Sequence, residues 1–219
     1  MFAFVPGELL DYDVRFGPLR LGRLELRTLE PDTARGETCY RFRSTLDVRL
    51  GFLFRARYEI ETWSRRSDMA TMRLWKRTAE SRYSGEWQAE FDYEDSVIRY
   101  SDGDRFALAG PVHDPLALWY LFRCTSLSEG DSLVVRCHTD RRDYGAVFRP
   151  AGHDSVSVPA GRFECLRLVP DPGSPLGALY IAEDAGREPS DRLPVVIRTK
   201  VGGMDVSANL RGVETGEGI

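Results

Sequence analysis

The residues best suited to acid–base or metal chemistry are three histidines, and they lie far apart in the sequence. His113, His138 and His153 form neither an HxH nor an HExxH pattern, so their spacing does not predict a zinc site. Cys137 directly precedes His138, but neighbouring residues on a strand point to opposite faces. A thiolate–imidazole pair between them is therefore not expected. A structural role is favoured for each of these residues.

A second candidate for acid–base chemistry is the adjacent pair His113 and Asp114. Asp114 also stands before Pro115 at the start of a helical pattern, where a capping carboxylate contributes about 0.5 to 2 kcal/mol without any catalysis. Capping is therefore the favoured role. The chain has no Walker loop, GxSxG elbow or dinucleotide fingerprint, and the acids between Glu90 and Asp95 lack EF-hand spacing. The sequence thus predicts no catalytic residue, no metal and no cofactor, and a protein that is not an enzyme.

Four cysteines, Cys39, Cys124, Cys137 and Cys165, are too widely spaced for a CxxC metal or redox motif. If oxidised, they could pair in three ways, between which the sequence does not choose. The favoured interpretation is buried thiols that act as small apolar side chains.

The remaining candidate chemistry is apolar binding by aromatic side chains. Several of them occupy even positions of one alternating segment and would line the concave side of a sheet that curls into an open barrel. Such a surface suits an apolar or lipid-like ligand, and the alternative is a filled core with no ligand. The candidate ligand-binding residues are Tyr40, Phe42, Phe52, Phe54, Tyr58 and Trp119.

The segment that must position most of these aromatics is Tyr40–Thr62, in which residue types alternate with period two. Even positions are apolar or small and odd positions are mostly charged, which predicts two long β-strands with one face on a core and the other in water. The parity does not change through Gly51, which leaves open a bend there instead of a full reversal. Around Gly22 the phase of alternation does change, as it would at a β-bulge.

One segment, Asp114–Arg123, has a helical pattern. Asp114 is a suitable N-cap, and Pro115 is pre-shaped for the first helical position. The helix is apolar nearly all round, so the sheet must cover it, and Trp119 is predicted to be buried. Other alternating segments predict further strands before and after it. The predicted fold is mainly β: a curved antiparallel sheet forming an open or half barrel, with one principal α-helix.

Composition limits the class of protein. With 219 residues and 42% hydrophobic content, residues 1–219 can form a single β-rich domain. The net charge of -4, from 34 acids and 30 bases, does not favour a nucleic-acid partner. Charged residues that alternate on strand faces favour cross-strand ion pairs over a phosphate site. No apolar stretch approaches the roughly 18 residues of a transmembrane helix, so no transmembrane segment is predicted.

Short segments spread over nearly the whole chain form an ordered set: Pro6–Glu8 with Tyr12 and Gly22, Asp114–Arg123, Gly130–Asp131, Val158–Phe163 and Leu193–Ile197. In this order they resemble the DUF3108 family, a bacterial domain family of unknown function. The resemblance implies an antiparallel, barrel-like or half-barrel fold in the bacterial envelope, and it implies no established activity. Two departures are Tyr180, which replaces a family Trp, and an enlarged loop at Asp184–Asp191.

The expected function is therefore that of a non-enzymatic bacterial envelope protein with a hydrophobic or lipid-like ligand on the concave side of its sheet. The alternative is a protein-interaction or scaffold domain with a packed core and no ligand, and the sequence does not identify a protein partner. The N-terminus lacks the basic region and apolar core of a signal peptide. The expected location is therefore the periplasm or envelope if a leader was removed, and otherwise the cytoplasm.

Overall fold

A computed structural model describes residues 4–50, 54–172, 174, 176–183, 192–201 and 204–216. The predicted loop Asp184–Asp191 lies outside these ranges. Within them the chain forms fourteen strands and one helix. The elements are β1 (Leu9–Phe16), β2 (Leu19–Ala34), β3 (Glu37–Leu50), β4 (Phe54–Arg65), β5 (Thr71–Glu80), β6 (Ser84–Asp92), β7 (Val97–Tyr100), β8 (Arg105–Ala107), α1 (Pro115–Cys124), β9 (Leu133–Thr139), β10 (Arg142–Val158), β11 (Gly161–Pro170), β12 (Leu176–Ala182), β13 (Pro194–Val201) and β14 (Met204–Glu214).

All fourteen strands belong to one antiparallel sheet in the order β8-β7-β6-β5-β4-β3-β2-β1-β14-β13-β12-β11-β10-β9. The sheet has a longer wing, β1 to β8, and a shorter wing, β9 to β14, which join where β1 pairs with β14. Helix α1 contacts β3 and β4 of the longer wing and β9 and β12 of the shorter one, so the sheet curls around the helix. Because β8 and β9 are the two edges of the sheet, strand pairing does not close it into a barrel. The prediction of a curved antiparallel half barrel with one principal helix is confirmed.

The long alternating segment forms β3 and β4, which pair along their whole length from Cys39 opposite Arg65 to Leu50 opposite Phe54. The chain therefore reverses fully between Leu50 and Phe54. The alternative of a bend at Gly51 is wrong, although Gly51 itself lies outside the described residues.

Not all odd positions of these strands are exposed to solvent, although most of them carry charged residues. Glu61 and Trp63 are both buried on the outer face. The guanidinium carbons of Arg41 and Arg73 each lie 5.2 Å from the Trp63 ring centroid. Arginine stems can cover an apolar ring while their charged ends stay hydrated. The outer face of the sheet therefore carries a shallow second layer of packing.

Two local features agree with the sequence prediction. The β1–β2 register shifts between Val14 and Arg15, which places a bulge beside Gly22. A Cβ atom at Gly22 would collide with the backbone carbonyl of Asp47 on β3, so the close approach of these strands requires glycine. The Asp114 carboxylate accepts hydrogen bonds from two backbone amides of the first turn of α1, as an N-cap does.

Candidate functional site

At one end of the half barrel, aromatic packing fills the space inside the sheet. The Phe42 ring of β3 stacks on the Tyr120 ring of α1 with centroids 3.6 Å apart. The Phe4 ring meets both of these rings edge-on, at 5.2 and 5.3 Å, and Tyr40 in the same way at 5.3 Å. Tyr40 and Phe42, two of the predicted ligand-binding residues, therefore lie in a packed core against the helix. We refer to this part of the molecule as the closed end.

Three of the segments that carry the family resemblance, those with Glu8, Arg123 and Pro194, meet at the closed end. Arg123, at the last turn of α1, is buried and donates two hydrogen bonds to the carboxylate of Glu8, at 2.6 and 2.7 Å. Burial alone would lower the pKa of Arg123, but the hydrogen bonds and charge of Glu8 raise it. Arg123 Nε also donates to the carbonyl of Arg192, and the Tyr12 hydroxyl donates to the carbonyl of Pro194. These residues fix the helix inside the sheet, which is a structural role.

Further along the helix, a pocket of about 240 Å³ lies between α1 and part of the shorter wing. Trp119 lies on the wall of this pocket and is only partly buried. The prediction that Trp119 is buried is therefore wrong, because the sheet does not cover the whole helix. The lining is mostly apolar, with the turn after β9 at its rim. It consists of Pro115, Leu118, Trp119 and Phe122 of α1, Thr139 and Asp140, Phe148 of β10, Leu176, Gly177 and Leu179 of β12, and Ile197, Arg198 and Thr199 of β13. We refer to it as the Trp119 pocket.

The turn at the rim of the Trp119 pocket links the two wings. Asp140 and Arg141 form it with φ values of +48° and +62°, as a two-residue hairpin turn requires. Asp140 pairs with the ammonium group of Lys76 on β5 at 3.2 Å. Arg141 pairs with Asp102 and Asp104 in the turn between β7 and β8. The rim of the pocket is therefore held by ion pairs that cross from the shorter wing to the longer one.

Burial decreases along the inner face of β3 away from the closed end. Phe42 and Ser44 are buried, whereas Leu46 and Val48 are only partly buried. On β4, opposite Leu46, Tyr58 is also partly buried and its hydroxyl donates to Glu80 at 2.6 Å. Burial and this carboxylate raise the pKa of Tyr58 to about 12. The concave side is therefore open at the end remote from Phe42.

Tyr58 and the Trp119 pocket thus lie at the open part of the half barrel, while Tyr40 and Phe42 lie at the closed end. For the two remaining predicted residues, Phe52 lies outside the described residues and the side chain of Phe54 is not described.

The two edges of the sheet face each other across a polar cluster. The Tyr100 hydroxyl of β7 lies 2.7 Å from His138 Nε2 of β9, and His138 Nδ1 lies 2.5 Å from a carboxylate oxygen of Asp143. Arg136 donates to the other oxygen of Asp143 at 2.8 Å. Burial raises the pKa of the Tyr100 hydroxyl. These side chains join edges that backbone pairing leaves open, and none of them is among the described residues that line the Trp119 pocket.

His113 and Asp114 do not form an acid–base pair. The His113 backbone pairs with β9, accepting from His138 N at 2.8 Å, and its ring Nε2 lies 3.1 Å from the carbonyl of Asp68. The Asp114 carboxylate is buried and accepts from the hydroxyls of Thr62 and Thr71 at 2.6 and 2.8 Å. Both residues therefore position the helix.

Sequence reasoning missed Tyr100 and Asp143 as partners of His138. Tyr100 precedes His138 by 38 residues, and no local spacing indicates their contact. Cys137 and His138 point in opposite directions as predicted, since Cys137 joins the main core and His138 meets the Phe91 ring edge-on at 5.5 Å. In the described part of the chain, no group of three or more His, Cys, Asp or Glu side chains is placed to hold a metal ion.

A broad trough of about 940 Å³ lies on the outer face of β2 to β5 and is lined largely by charged residues. Some of its arginines pair with carboxylates on neighbouring strands, such as Arg23 with Asp11 and Arg43 with Glu61, each at 2.5 Å. Others pair within one strand, as Arg57 does with Glu59 at 2.7 Å. The more exposed pairs of the trough, such as Arg49 with Asp47, contribute about 0 to 1 kcal/mol each. The predicted cross-strand ion pairs are therefore present, together with pairs within single strands.

A fourteen-stranded antiparallel sheet curled around one helix defines a β-barrel-like protein. The model of DUF3108, a protein family of unknown function, matches residues 11–208, and the chain belongs to this family. None of the curated proteins matches the chain. No helix in the described ranges is long and apolar enough to cross a membrane.

Solved structures resemble the chain in fold. A β-barrel-like protein of the domain of unknown function DUF1849 from Brucella abortus superposes with a TM-score of 0.63 at 11% identity, covering 98% of this chain and 99% of that one. A candidate exported protein with a YmcC-like fold from Bacteroides fragilis matches at a TM-score of 0.33 and 13% identity, covering 98% of this chain and 100% of that one. At these identities the first likeness supports the fold alone.

Proposed function

We propose that the protein is a non-enzymatic binding protein of the bacterial envelope that holds an apolar or lipid-like molecule in the Trp119 pocket. The observation that carries this proposal is the pocket itself, an apolar space bounded by a partly exposed tryptophan inside an otherwise well-packed sheet. Apolar clefts with few polar groups are the usual form of small-molecule sites. The envelope setting is supported by the family resemblance.

The pocket volume limits the part of the ligand that can be enclosed. Ligand sites usually measure about 300 to 1,000 Å³, and 240 Å³ lies just below this range. A short chain segment or a single ring therefore fits inside. The rest of a longer molecule would lie along the open inner face near Leu46, Val48 and Tyr58, where apolar side chains are only partly covered.

The polar groups of the pocket support binding without chemistry. The described residues that line it include no histidine, no cysteine and no pair of carboxylates. Asp140 is the single acid among them and is engaged by Lys76. A general base and a nucleophile within reach of one another are therefore missing from the described lining.

The test is a titration of the full chain with a hydrophobic dye and with fatty acids of increasing length. Leu176→Trp should fill the pocket and weaken binding at least tenfold, whereas Val134→Trp, at an exposed position of β9, should bind as the wild type does. Native mass spectrometry of protein from its own host should reveal a retained small molecule. If the folded wild type binds no apolar probe, the scaffold alternative replaces this proposal.

A further inference from the structure

Hairpin turns lie side by side along the end of the sheet remote from the closed end. Phe16 pairs with Leu19 across the β1–β2 turn and with Val206 near the start of β14. The turn after β5 is tied to the start of β4, since Ser81 Oγ donates to the Arg55 carbonyl at 3.2 Å and accepts from the Arg55 amide at 3.0 Å. Strands β5, β4, β3, β2, β1 and β14 are neighbours in the sheet, so these strand ends lie along one edge. We call this edge the turn end.

The turn end carries exposed apolar side chains that the fold does not need. Among the described residues, six large hydrophobic side chains are exposed, and three of them lie here: Phe16 at 42%, Leu19 at 50% and Tyr83 at 59%. Both exposed aromatics are in this group, and the other three residues are valines. Phe16 and Leu19 pair across one turn, and Tyr83 lies in a turn of the same edge, three strands away. Exposed apolar side chains along one edge favour an interaction surface.

Cationic side chains surround these apolar residues. Three arginines of this edge, Arg20, Arg49 and Arg55, have side chains 51 to 61% exposed. Their acidic neighbours Asp13 and Asp47 are recessed, at 13 and 29%. Exposed arginines at the turn end are Arg15, Arg20, Arg49, Arg55 and Arg82.

Three further acids lie at this edge. Glu80 is partly buried and accepts the Tyr58 hydroxyl, while Glu86 and Asp205 are exposed. Among the described residues, the five exposed arginines therefore outnumber these two exposed acids.

We infer that the turn end docks on the surface of an anionic lipid bilayer. Apolar and aromatic side chains at protruding turns can enter the headgroup region, where tyrosine is favoured, while the surrounding arginines are attracted to anionic headgroups. The positive charge of the exposed arginines favours an anionic bilayer over a neutral one. The inference does not depend on a bound ligand, since the residues that carry it lie outside the Trp119 pocket.

The position of the pocket agrees with such docking. Leu176 and Thr199, which pair across β12 and β13, line the Trp119 pocket two residues before β13 ends at Val201. The pocket therefore lies directly behind the turn end.

The experiment is co-sedimentation of the full chain with vesicles of phosphatidylcholine, either pure or containing about 30% phosphatidylglycerol. The wild type should bind the anionic vesicles at least tenfold more tightly than the neutral ones, and salt at about 0.5 M should weaken binding. Two double variants, Leu19→Ser with Tyr83→Ser and Arg49→Gln with Arg55→Gln, should each lose roughly tenfold in affinity.

Matched controls are Val134→Ser with Val213→Ser, and Arg27→Gln with Arg211→Gln. Arg27 and Arg211 are exposed near the start of β1, remote from the turn end, so these variants should bind as the wild type does. Equal binding to both vesicle types, or equal loss in test and control variants, would overturn the inference.

A second outcome would assign the turn end to another copy of the chain. In that case the protein would not bind vesicles, and sedimentation velocity would show a dimer that Leu19→Ser dissociates. Binding of a hydrophobic dye in solution does not require membrane docking. Failure of the docking inference can therefore be distinguished from failure of the proposed ligand binding.

Discussion

Arg123, on the last turn of α1, is buried and paired with Glu8, which lies just before β1, through two hydrogen bonds of 2.6 and 2.7 Å. The residues are 115 positions apart, so this contact ties the helix to the start of the sheet over a long stretch of chain. The rings of Phe4 and Tyr120 lie 5.3 and 5.2 Å from the guanidinium carbon, so the arginine is enclosed by aromatic surface.

Glu8→Gln should destabilise the protein by about 3 to 5 kcal/mol, because it leaves a buried guanidinium without its countercharge. The measurement is the free energy of unfolding from urea titrations. The double variant Glu8→Leu with Arg123→Met removes both charges and should recover part of the loss. A loss below about 1 kcal/mol in Glu8→Gln would show that the pair behaves like an exposed salt bridge.

Phe42→Ala should cost about 3 to 5 kcal/mol, since it removes a buried ring that stacks on Tyr120 and leaves a cavity beside the helix. Denaturant melts measure the loss. Thr45→Ala, on the outer face of the same strand, is a suitable control and should lie within about 1 kcal/mol of the wild type. Equal losses at the two positions would contradict the assignment of the inner face as the packed one.

Trp119→Ala should have a smaller effect on stability, about 1 to 2 kcal/mol, because the side chain is partly exposed on the wall of a pocket. Its effect on dye binding should be larger than that of Phe42→Ala in samples that remain folded. A loss of 3 kcal/mol or more, with dye binding unchanged, would indicate that Trp119 is a core residue.

Local patterns predict most of the fold. Alternation in Tyr40–Thr62 predicts β3 and β4, and the Asp114-Pro115 pair predicts the start of α1, because strand pleat and helix capping depend on residues close in sequence. Alternation also predicts a hydrated outer face, but Trp63 is buried there. Arg41 and Arg73, one from each neighbouring strand, cover the Trp63 ring. The sequence of β4 alone does not indicate these contacts.

The candidate site is less predictable for the same reason. Tyr40 and Trp119 carry the same apolar signal in sequence, yet one lies in the core cluster and the other lines a pocket. The difference depends on which strands approach each face of α1, and that is a property of the whole sheet. The contact of Tyr100 with His138 likewise depends on how far the sheet curls before its edges meet.

Acid should weaken the β6–β7 hairpin through Asp92. Its carboxylate accepts from the Asp95 amide at 3.0 Å and from Arg99 at 2.5 Å, and it pairs with Arg35 at 2.8 Å; these contacts lower its pKa to about 2. Because the pKa of Asp92 is lower in the folded state, its ionised carboxylate stabilises the protein. This stabilisation is fully present above about pH 4 and is lost as the pH falls toward 2. Asp92→Asn should therefore lose less stability than the wild type over this interval, in urea titrations at each pH. Parallel curves for the two proteins would contradict the assignment.

The four cysteines should react slowly in the folded protein. All lie in the described part of the chain and no disulfide joins them; Cys39, Cys137 and Cys165 are buried and Cys124 is partly buried.

Burial raises the pKa of the Cys39 thiol to about 11 and that of Cys124 to about 12, and it also raises the pKa of Cys137. Because the thiolate is the reactive form, labelling with a disulfide reagent at pH 8 should be at least a hundredfold slower in native buffer than in guanidinium chloride, which should expose all four thiols. Cys124, the least buried, should label first, and Cys124→Ser should remove that phase alone. Fewer than four thiols in denaturant without reductant would indicate oxidative pairing, and rapid native labelling of Cys137 would contradict the closed packing between α1 and β9.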